Sequence, residues 1–435
     1  MSLQFKLQPA SKISGEIRVP GDKSISHRSI MFGSLAEGTT RVTGFLEGED
    51  SLNTLRAFQA MGVQIEGPVN GKVTIHGVGM NGLKKPDVAL DMGNSGTSMR
   101  LLSGLLSGQA FDLELVGDRS LSKRPMKRVT DPLALMGVLV DTAEGGCPPL
   151  KIHGGSAMKG IHYDMPMASA QVKSCLLLAG MYAQGETSVT EPAPTRDHTE
   201  RMLTAFGYPV KTSGHTMSLQ GGGKLTACDI DVPSDISSAA FFMVMGAIAK
   251  EADILIKHVG INPTRTGVID ILKLMGADIT LQNPHEVGGE PVADVRVRSS
   301  QLKGIRVPEE LVPLAIDEFP VLFVAAACAQ GQTVVTGAHE LRVKESDRIQ
   351  VMADGLQALG VDATATEDGM IINPGPIKSG TVNSHDDHRI AMAFSVASLA
   401  AQGEIVIDDC DNVNTSFPTF VELANQVGLH LKTNT

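Results

Sequence analysis

The chain has 435 residues, 42% hydrophobic and 20% charged, which is enough for two or three globular cores. Its net charge of −11 argues against a nucleic-acid or acidic-membrane partner, either of which would require a basic surface. Cys147, Cys175, Cys228, Cys328 and Cys410 form no CxxC pair, which argues against a disulfide framework or zinc ribbon and fits a reduced compartment. Residues 1–6 hold no apolar stretch of signal-peptide length, and the longest apolar run, 321–329, is too short to span a bilayer. A soluble, cytoplasmic protein is the expectation.

In chain order, a small-residue apolar helix is predicted over 29–35, then a Gly turn and a strand over 38–42. A second, charged helix closes at Met61-Gly62, and a strand over 63–65 follows. The pattern returns with helices over 99–106 and 172–181, and with Gly-led strands over 185–189, 331–335 and 403–407. Closing pairs recur at Met136-Gly137, Phe206-Gly207, Met275-Gly276, Leu359-Gly360 and Val427-Gly428, with strands at 277–280 and 361–364. The six closing glycines lie 68–84 residues apart. A Gly there suits a helix C-cap in the left-handed conformation, and a constant period marks repeated α/β units. Six units divide into two domains of three: residues 1–20 with 234–435, and residues 21–233. A single doubly wound sheet also alternates helix and strand, but it does not impose this period.

Polar clusters stand just before the helices: Gly21-Asp22-Lys23-Ser24-Ile25-Ser26-His27-Arg28, Gly93-Asn94-Ser95-Gly96-Thr97-Ser98, Ala168-Ser169-Ala170-Gln171-Val172-Lys173, Pro233-Ser234-Asp235-Ile236-Ser237-Ser238, Asp317-Glu318-Phe319-Pro320 and Asp386-Asp387-His388-Arg389. The second helices are expected to open with Lys123-Arg124-Pro125, Thr195-Arg196-Asp197 and Lys344-Glu345-Ser346-Asp347-Arg348. Ser237 and Ser346 read as helix caps, and His388 is a further cap candidate. Lys23, Arg28, Arg124, Lys344, Arg348 and Arg389 read as cations at helix starts, where they oppose the helix dipole. That placement makes sense where an anion is shared between the cations and the backbone N–H groups.

Other chemistries fit less well. A P-loop needs Gly directly before Lys, and Asp22 intervenes. His385-Asp386-Asp387-His388 has no second ligand cluster at metal-site spacing. No Ser is framed as Gly-x-Ser-x-Gly.

Residues 20–28 as a block, Gly93-Asn94-Ser95-Gly96-Thr97, Arg124-Pro125-Met126, the 342–348 segment Arg-Val-Lys-Glu-Ser-Asp-Arg, and Asp387-His388-Arg389-Ile390-Ala391-Met392 resemble the motifs of the 5-enolpyruvylshikimate-3-phosphate synthases. The resemblance runs from about Leu7 to Gly428. Ser169-Ala170-Gln171-Val172-Lys173 and Thr195-Arg196-Asp197-His198-Thr199-Glu200 are similar to the wording of the second bacterial class.

The resemblance implies an α/β fold: a two-domain inside-out α/β barrel, each domain three βαβαββ units, with helix starts from both facing one cleft. It implies transfer of the enolpyruvyl group of phosphoenolpyruvate to the 5-hydroxyl of shikimate 3-phosphate, in a monomer that uses no metal or organic cofactor. By motif, Lys23, Ser24, Arg28, Ser169, Ala170, Gln171 and Arg196 are expected at shikimate 3-phosphate, with Lys23 also reaching phosphoenolpyruvate. Asn94, Gly96, Arg124, Arg348 and Arg389 are expected to clamp phosphoenolpyruvate; Arg grips carboxylate and phosphate bidentately. Asp317 matches the general base, with Glu318 as the internal alternative. Glu345 and Lys23 are expected to move protons at the methylene, and Lys344 to hold the hydroxyl region. A neighbouring acid or burial must tune Glu345 among so many cations. The run Asn414-Thr415-Ser416-Phe417-Pro418 lacks a Lys that many relatives carry.

Three alternatives stand beside this reading. The sister transferase acting on UDP-N-acetylglucosamine typically reads Lys-Asn where this chain has Lys23-Ser24. A non-catalytic anion binder would have no reason to keep Lys23, Asp317 and Glu345 together. A nucleic-acid enzyme is opposed by the charge and by the 4% aromatic content.

Overall fold

The computed structural model describes residues 2–434. Its α-helices are α1 (Lys23–Leu35), α2 (Glu49–Ala60), α3 (Gly96–Leu106), α4 (Lys127–Leu135), α5 (Ala170–Gly180), α6 (His198–Ala205), α7 (Ile236–Ile248), α8 (Gly267–Leu274), α9 (Phe319–Ala327), α10 (Arg348–Ala358), α11 (His388–Ala397), α12 (Val413–Ser416) and α13 (Phe420–Val427). With the strands between them they form a mixed α/β fold.

The chain divides into two compact units. One joins Met1–Pro20 to Pro233–Glu286 and Glu290–Thr435; the other holds Gly21–Val232 with Val287–Gly289. In the first unit, Gln4–Gln8 pairs antiparallel with both Ile405–Asp408 and His430–Asn434. Lys12–Ile17 lies parallel to Glu251–Gly260. Two strands from the N-terminus thus complete sheets whose other strands come from the last 200 residues or so, and each unit keeps its own apolar core.

Two kinds of helix divide the work. α7 and α9 are apolar all round and are buried along almost their whole length. Together with α11 they pack against one another inside the first unit. In the second unit α3 packs on α5, and the contact requires Gly104: a Cβ there would lie 2.0 Å from the Cys175 carbonyl oxygen. The amphipathic helices α2, α4, α6, α8, α10 and α13 each end just before one of the six repeat glycines. Gly62, Gly137, Gly207, Gly276, Gly360 and Gly428 all have positive φ, from +79° to +113°.

Several expected helix starts shift. α4 begins at Lys127, so Arg124 precedes it at the end of a short 3-10 turn. α6 begins at His198, which leaves Thr195, Arg196 and Asp197 in the preceding loop. Lys344 lies outside α10 in the same way, and Arg28 sits in the second turn of α1.

Candidate active site

In the unit of residues 21–232, Asp22 caps α1 by accepting from the Ile25 amide at 2.9 Å. Lys23 is the first helical residue, and its ammonium reaches Asp50 Oδ2 at 3.1 Å. Asp50 lies in the first turn of α2, where a carboxylate complements the dipole. Ser24 offers its carbonyl to Arg28 Nη1 at 2.9 Å. The same guanidinium donates from Nε to Thr199 Oγ1 at 2.7 Å and from Nη2 to Ser174 Oγ at 2.9 Å. Arg28 therefore ties α1 to α5 and α6 while itself buried.

Ser95 caps α3 and Ser169 caps α5, which makes Gly96 and Ala170 the first helical residues. Asn94 accepts from Arg124 Nη2 at 2.9 Å and donates to Asp118 at 2.8 Å, and Ser120 Oγ adds a second acceptor for Arg124. A Cβ on Gly96 would meet Arg100 Nη1 at 2.8 Å and Arg124 Nη1 at 3.4 Å, so two guanidiniums fill the space above it. Arg100 is absent from the sequence-based set. It donates to Gln171 Oε1 at 2.6 Å, and Gln171 in turn donates to Thr97 Oγ1 at 3.0 Å. The available signal was its spacing four residues after Gly96 on one helix face. Arg196 lies half-buried in the loop directly after Thr195.

His27, inside the 20–28 motif on α1, has no role in the sequence-based set. Its Nδ1 pairs with Thr54 Oγ1 at 2.8 Å and with Ser98 Oγ at 3.3 Å, bridging α1, α2 and α3. Burial lowers its pKa well below the ordinary value, and Lys23 and Arg28 lower it further, so the ring is held neutral.

In the other unit Asp317 Oδ1 lies 3.3 Å from Lys344 Nζ and 3.4 Å from Arg348 Nη1. Arg348 is 1% exposed; its Nη2 donates to Glu345 Oε2 at 2.7 Å and its Nε to Asp387 Oδ2 at 2.8 Å. Burial pulls the Arg348 pKa down, but Asp387, Glu345 and Asp317 together push it above its ordinary value. Burial pushes Asp387 up, and the guanidinium overcomes this and holds its carboxyl below the usual carboxylate range. Arg389 donates to the Asp317 carbonyl oxygen at 3.2 Å. Lys344, Asp317, Glu345, Arg348 and Arg389 are therefore gathered into one ionic cluster.

Three cap expectations fail here. Asp235, not Ser237, caps α7 by accepting from the Ser237 amide at 2.8 Å. The Ser237 hydroxyl instead donates to Glu318 and accepts from Arg265 Nη2 at 2.7 Å. Asp347 caps α10, while Ser346 Oγ donates to Asp387 at 2.9 Å. Asp387 caps α11, leaving His388 as the first helical residue. In each case a carboxylate, the stronger acceptor, takes the cap. Glu318 faces Ser237, Arg265 and Arg389 and is 2% exposed. Among the described residues no group of three or more His, Cys, Asp or Glu is placed to hold a metal ion, and no helix is long and apolar enough to cross a membrane.

Lys and Arg side chains at or beside helix starts of a mixed α/β fold, with carboxylates in contact, suit a protein that handles anions. Residues 7–423 match the sequence model of the EPSP synthase (3-phosphoshikimate 1-carboxyvinyltransferase) family. The chain belongs to that family. It is 72% identical to the 3-phosphoshikimate 1-carboxyvinyltransferase of Hydrogenovibrio crunogenus over 99% of this chain and 98% of that one. It is 65% identical to the same-named protein of Methylococcus capsulatus, over 98% of each. An EPSP synthase structure from Acinetobacter baumannii superposes with a TM-score of 0.90 at 64% identity, covering 100% of both chains.

Proposed function

We propose that the chain transfers the enolpyruvyl group of phosphoenolpyruvate to the 5-hydroxyl of shikimate 3-phosphate, a step of the shikimate pathway towards chorismate and the aromatic amino acids. The acceptor oxygen loses its proton and bonds to C2 of phosphoenolpyruvate while C3 gains a proton. Loss of phosphate from C2 and of a proton from C3 then restores the alkene. Each stage moves a proton beside a growing or departing anion, so it needs a base, an acid and fixed cations.

Asp317 is the proposed base. Its carboxylate lies within 3.4 Å of both Lys344 and Arg348, with Glu345 on another nitrogen of that guanidinium, and this observation carries the reading. Glu345 and Lys23 are the proposed proton carriers at the methylene. Asp387 bonds the same guanidinium as Glu345 and is the proposed neighbouring acid, burial being the other means of tuning Glu345. Lys23, Ser24, Arg28, Ser169, Ala170, Gln171 and Arg196 are assigned to the acceptor. Asn94, Gly96, Arg124, Arg348 and Arg389 are assigned to phosphoenolpyruvate, and Lys344 to the hydroxyl region.

The finer architecture belongs to the same proposal: an inside-out α/β barrel of βαβαββ units, three in residues 1–20 with 234–435 and three in residues 21–233. The six left-handed glycines support it. A cytoplasmic monomer working without a cofactor completes the reading. The test is phosphate release from phosphoenolpyruvate with shikimate 3-phosphate or UDP-N-acetylglucosamine as acceptor. Release with the first acceptor alone is expected. Release with the second alone, or full turnover by Asp317→Ala, overturns the acceptor or the base, respectively.

A further inference from the structure

The two motifs that mark the second bacterial class end in Lys173 and Glu200, and neither residue has a role in the reading above. The fold brings them together. Lys173 is fully buried on α5, and its Nζ lies 2.8 Å from Glu200 Oε1 on α6 and 3.0 Å from Glu191 Oε2. Glu191 and Glu200 are 4% and 7% exposed. Neither approach of the ammonium meets hydrogen-bond geometry, so both are ionic contacts. Glu191 is further committed: its carboxylate accepts from the Thr195 amide at 3.2 Å and from the Thr195 hydroxyl at 2.6 Å.

Burying one ammonium with two carboxylates is costly compared with apolar side chains of the same size. The rest of α5 around Lys173 is Val172, Cys175, Leu176, Leu177 and Leu178, so an apolar residue would suit the packing. What the charges supply is position. The segment between Glu191 and Glu200 carries Arg196 and Thr199 and is fixed at both ends to a single ammonium. Thr199 Oγ1 donates to Ser174 Oγ at 2.8 Å, and both hydroxyls accept from Arg28. Ser174 is the residue after Lys173.

We propose that Lys173, Glu191 and Glu200 are positioning residues for the acceptor's phosphate: they set the Arg196 loop and, through Thr199 and Ser174, the direction of the Arg28 guanidinium. This rests on the assignment of Arg28 and Arg196 to the phosphorylated acceptor. Displacing either cation by a fraction of an ångström weakens the grip on that substrate and leaves the other substrate's contacts in place.

The test compares steady-state constants for both substrates in four full-length variants. Glu200→Asp keeps every charge but shortens one anchor. Lys173→Met combined with Glu191→Gln and Glu200→Gln removes the charges together, keeping an acceptor for Thr195. Lys173→Arg keeps the cation. Arg28→Lys probes the assignment itself. The expected result for Glu200→Asp and for the triple variant is a KM for shikimate 3-phosphate raised about 5- to 20-fold, with the phosphoenolpyruvate KM within about twofold and kcat reduced less than KM changes. Lys173→Arg should stay nearer the parent than the triple variant. Equal changes in both KM values, or none while the Tm alone falls, would overturn the positioning role. Because Glu200→Asp retains all three charges, loss of folding in the triple variant leaves that comparison standing. If Arg28→Lys also leaves the shikimate 3-phosphate KM unchanged, the acceptor assignment is what fails. If Arg28→Lys raises it and Glu200→Asp does not, the triad inference fails alone.

Discussion

Arg28 and Arg348 are both buried guanidiniums near helix starts, yet different side chains hold them. The Arg28 bonds to Thr199, Ser174 and Ser24 run to two hydroxyls and a carbonyl. Arg348 donates to Glu345 and Asp387 and lies against Asp317, three carboxylates. Neutral acceptors orient a cation without cancelling its charge, which suits the grip on a phosphate. Carboxylates cancel much of the charge and in return are themselves oriented by the guanidinium. The first arrangement suits the binding role proposed for Arg28. The second is a frame that holds Asp317 and Glu345, the proposed base and one proposed proton carrier, around one guanidinium.

The comparison breaks most visibly at Asp317. Replacing it with Ala should lower kcat by about 10²- to 10⁴-fold, as expected for loss of a general base, with the KM values changing far less. Phosphate-release kinetics check this, and a kcat near the parent's would leave the ionic frame without its base. Arg348→Met should come next: it takes the guanidinium from Asp387 and Glu345, at a cost of about 3–5 kcal/mol of stability in denaturant unfolding. Arg28→Met, which frees the Thr199 and Ser174 hydroxyls and the Ser24 carbonyl, should cost about 1–3 kcal/mol and appear chiefly as a raised acceptor KM. Equal losses from the two Met variants would erase the distinction.

Gly96→Ala sharpens the picture on a smaller scale. Its methyl would meet Arg100 at 2.8 Å, and Arg100 is the donor to Gln171. A raised phosphoenolpyruvate KM, by about 5- to 50-fold, is expected from kinetics with acceptor saturating. Arg100→Lys, thinner at its tip, should relieve part of that effect in the double variant.

The smallest effect concerns His27. Its folded pKa is depressed, so between that value and the unfolded value of about 6.5 the unfolded chain binds a proton that the folded chain does not. Stability from this site is complete above about pH 6.5 and is lost as the pH falls below it, by at most about 1.4 kcal/mol per unit. His27→Asn should flatten the fall in Tm between pH 6.5 and 5. An unchanged slope would place the acid sensitivity elsewhere.

Much of this was legible in residue order. The six closing glycines, the apolar character of the interior helices and the motif residues Lys23, Asn94, Arg124, Asp317 and Arg389 can all be read along the chain. The glycines and the helices depend on local geometry, since a left-handed turn needs Gly and a helix buried all round needs an apolar sequence, while the roles of the motif residues come from the family resemblance. Ser237, Ser346 and His388 were misread as caps because Asp235, Asp347 and Asp387 compete for the same amides, and the stronger acceptor wins. Arg100 and His27 escaped notice because their partners, Gln171 and Ser98, each lie 71 residues away.

By itself the sequence determined the repeated α/β pattern, the family and the inventory of cations and carboxylates. Only the tertiary structure decided which carboxylate answers which cation. Asp387 meets Arg348 across 39 residues, and Lys173 meets Glu200 although their motifs are separate in the chain. The physical reason is that a buried charge is tolerable only beside its partner, and that partner is chosen by the packing of helices rather than by spacing along the backbone.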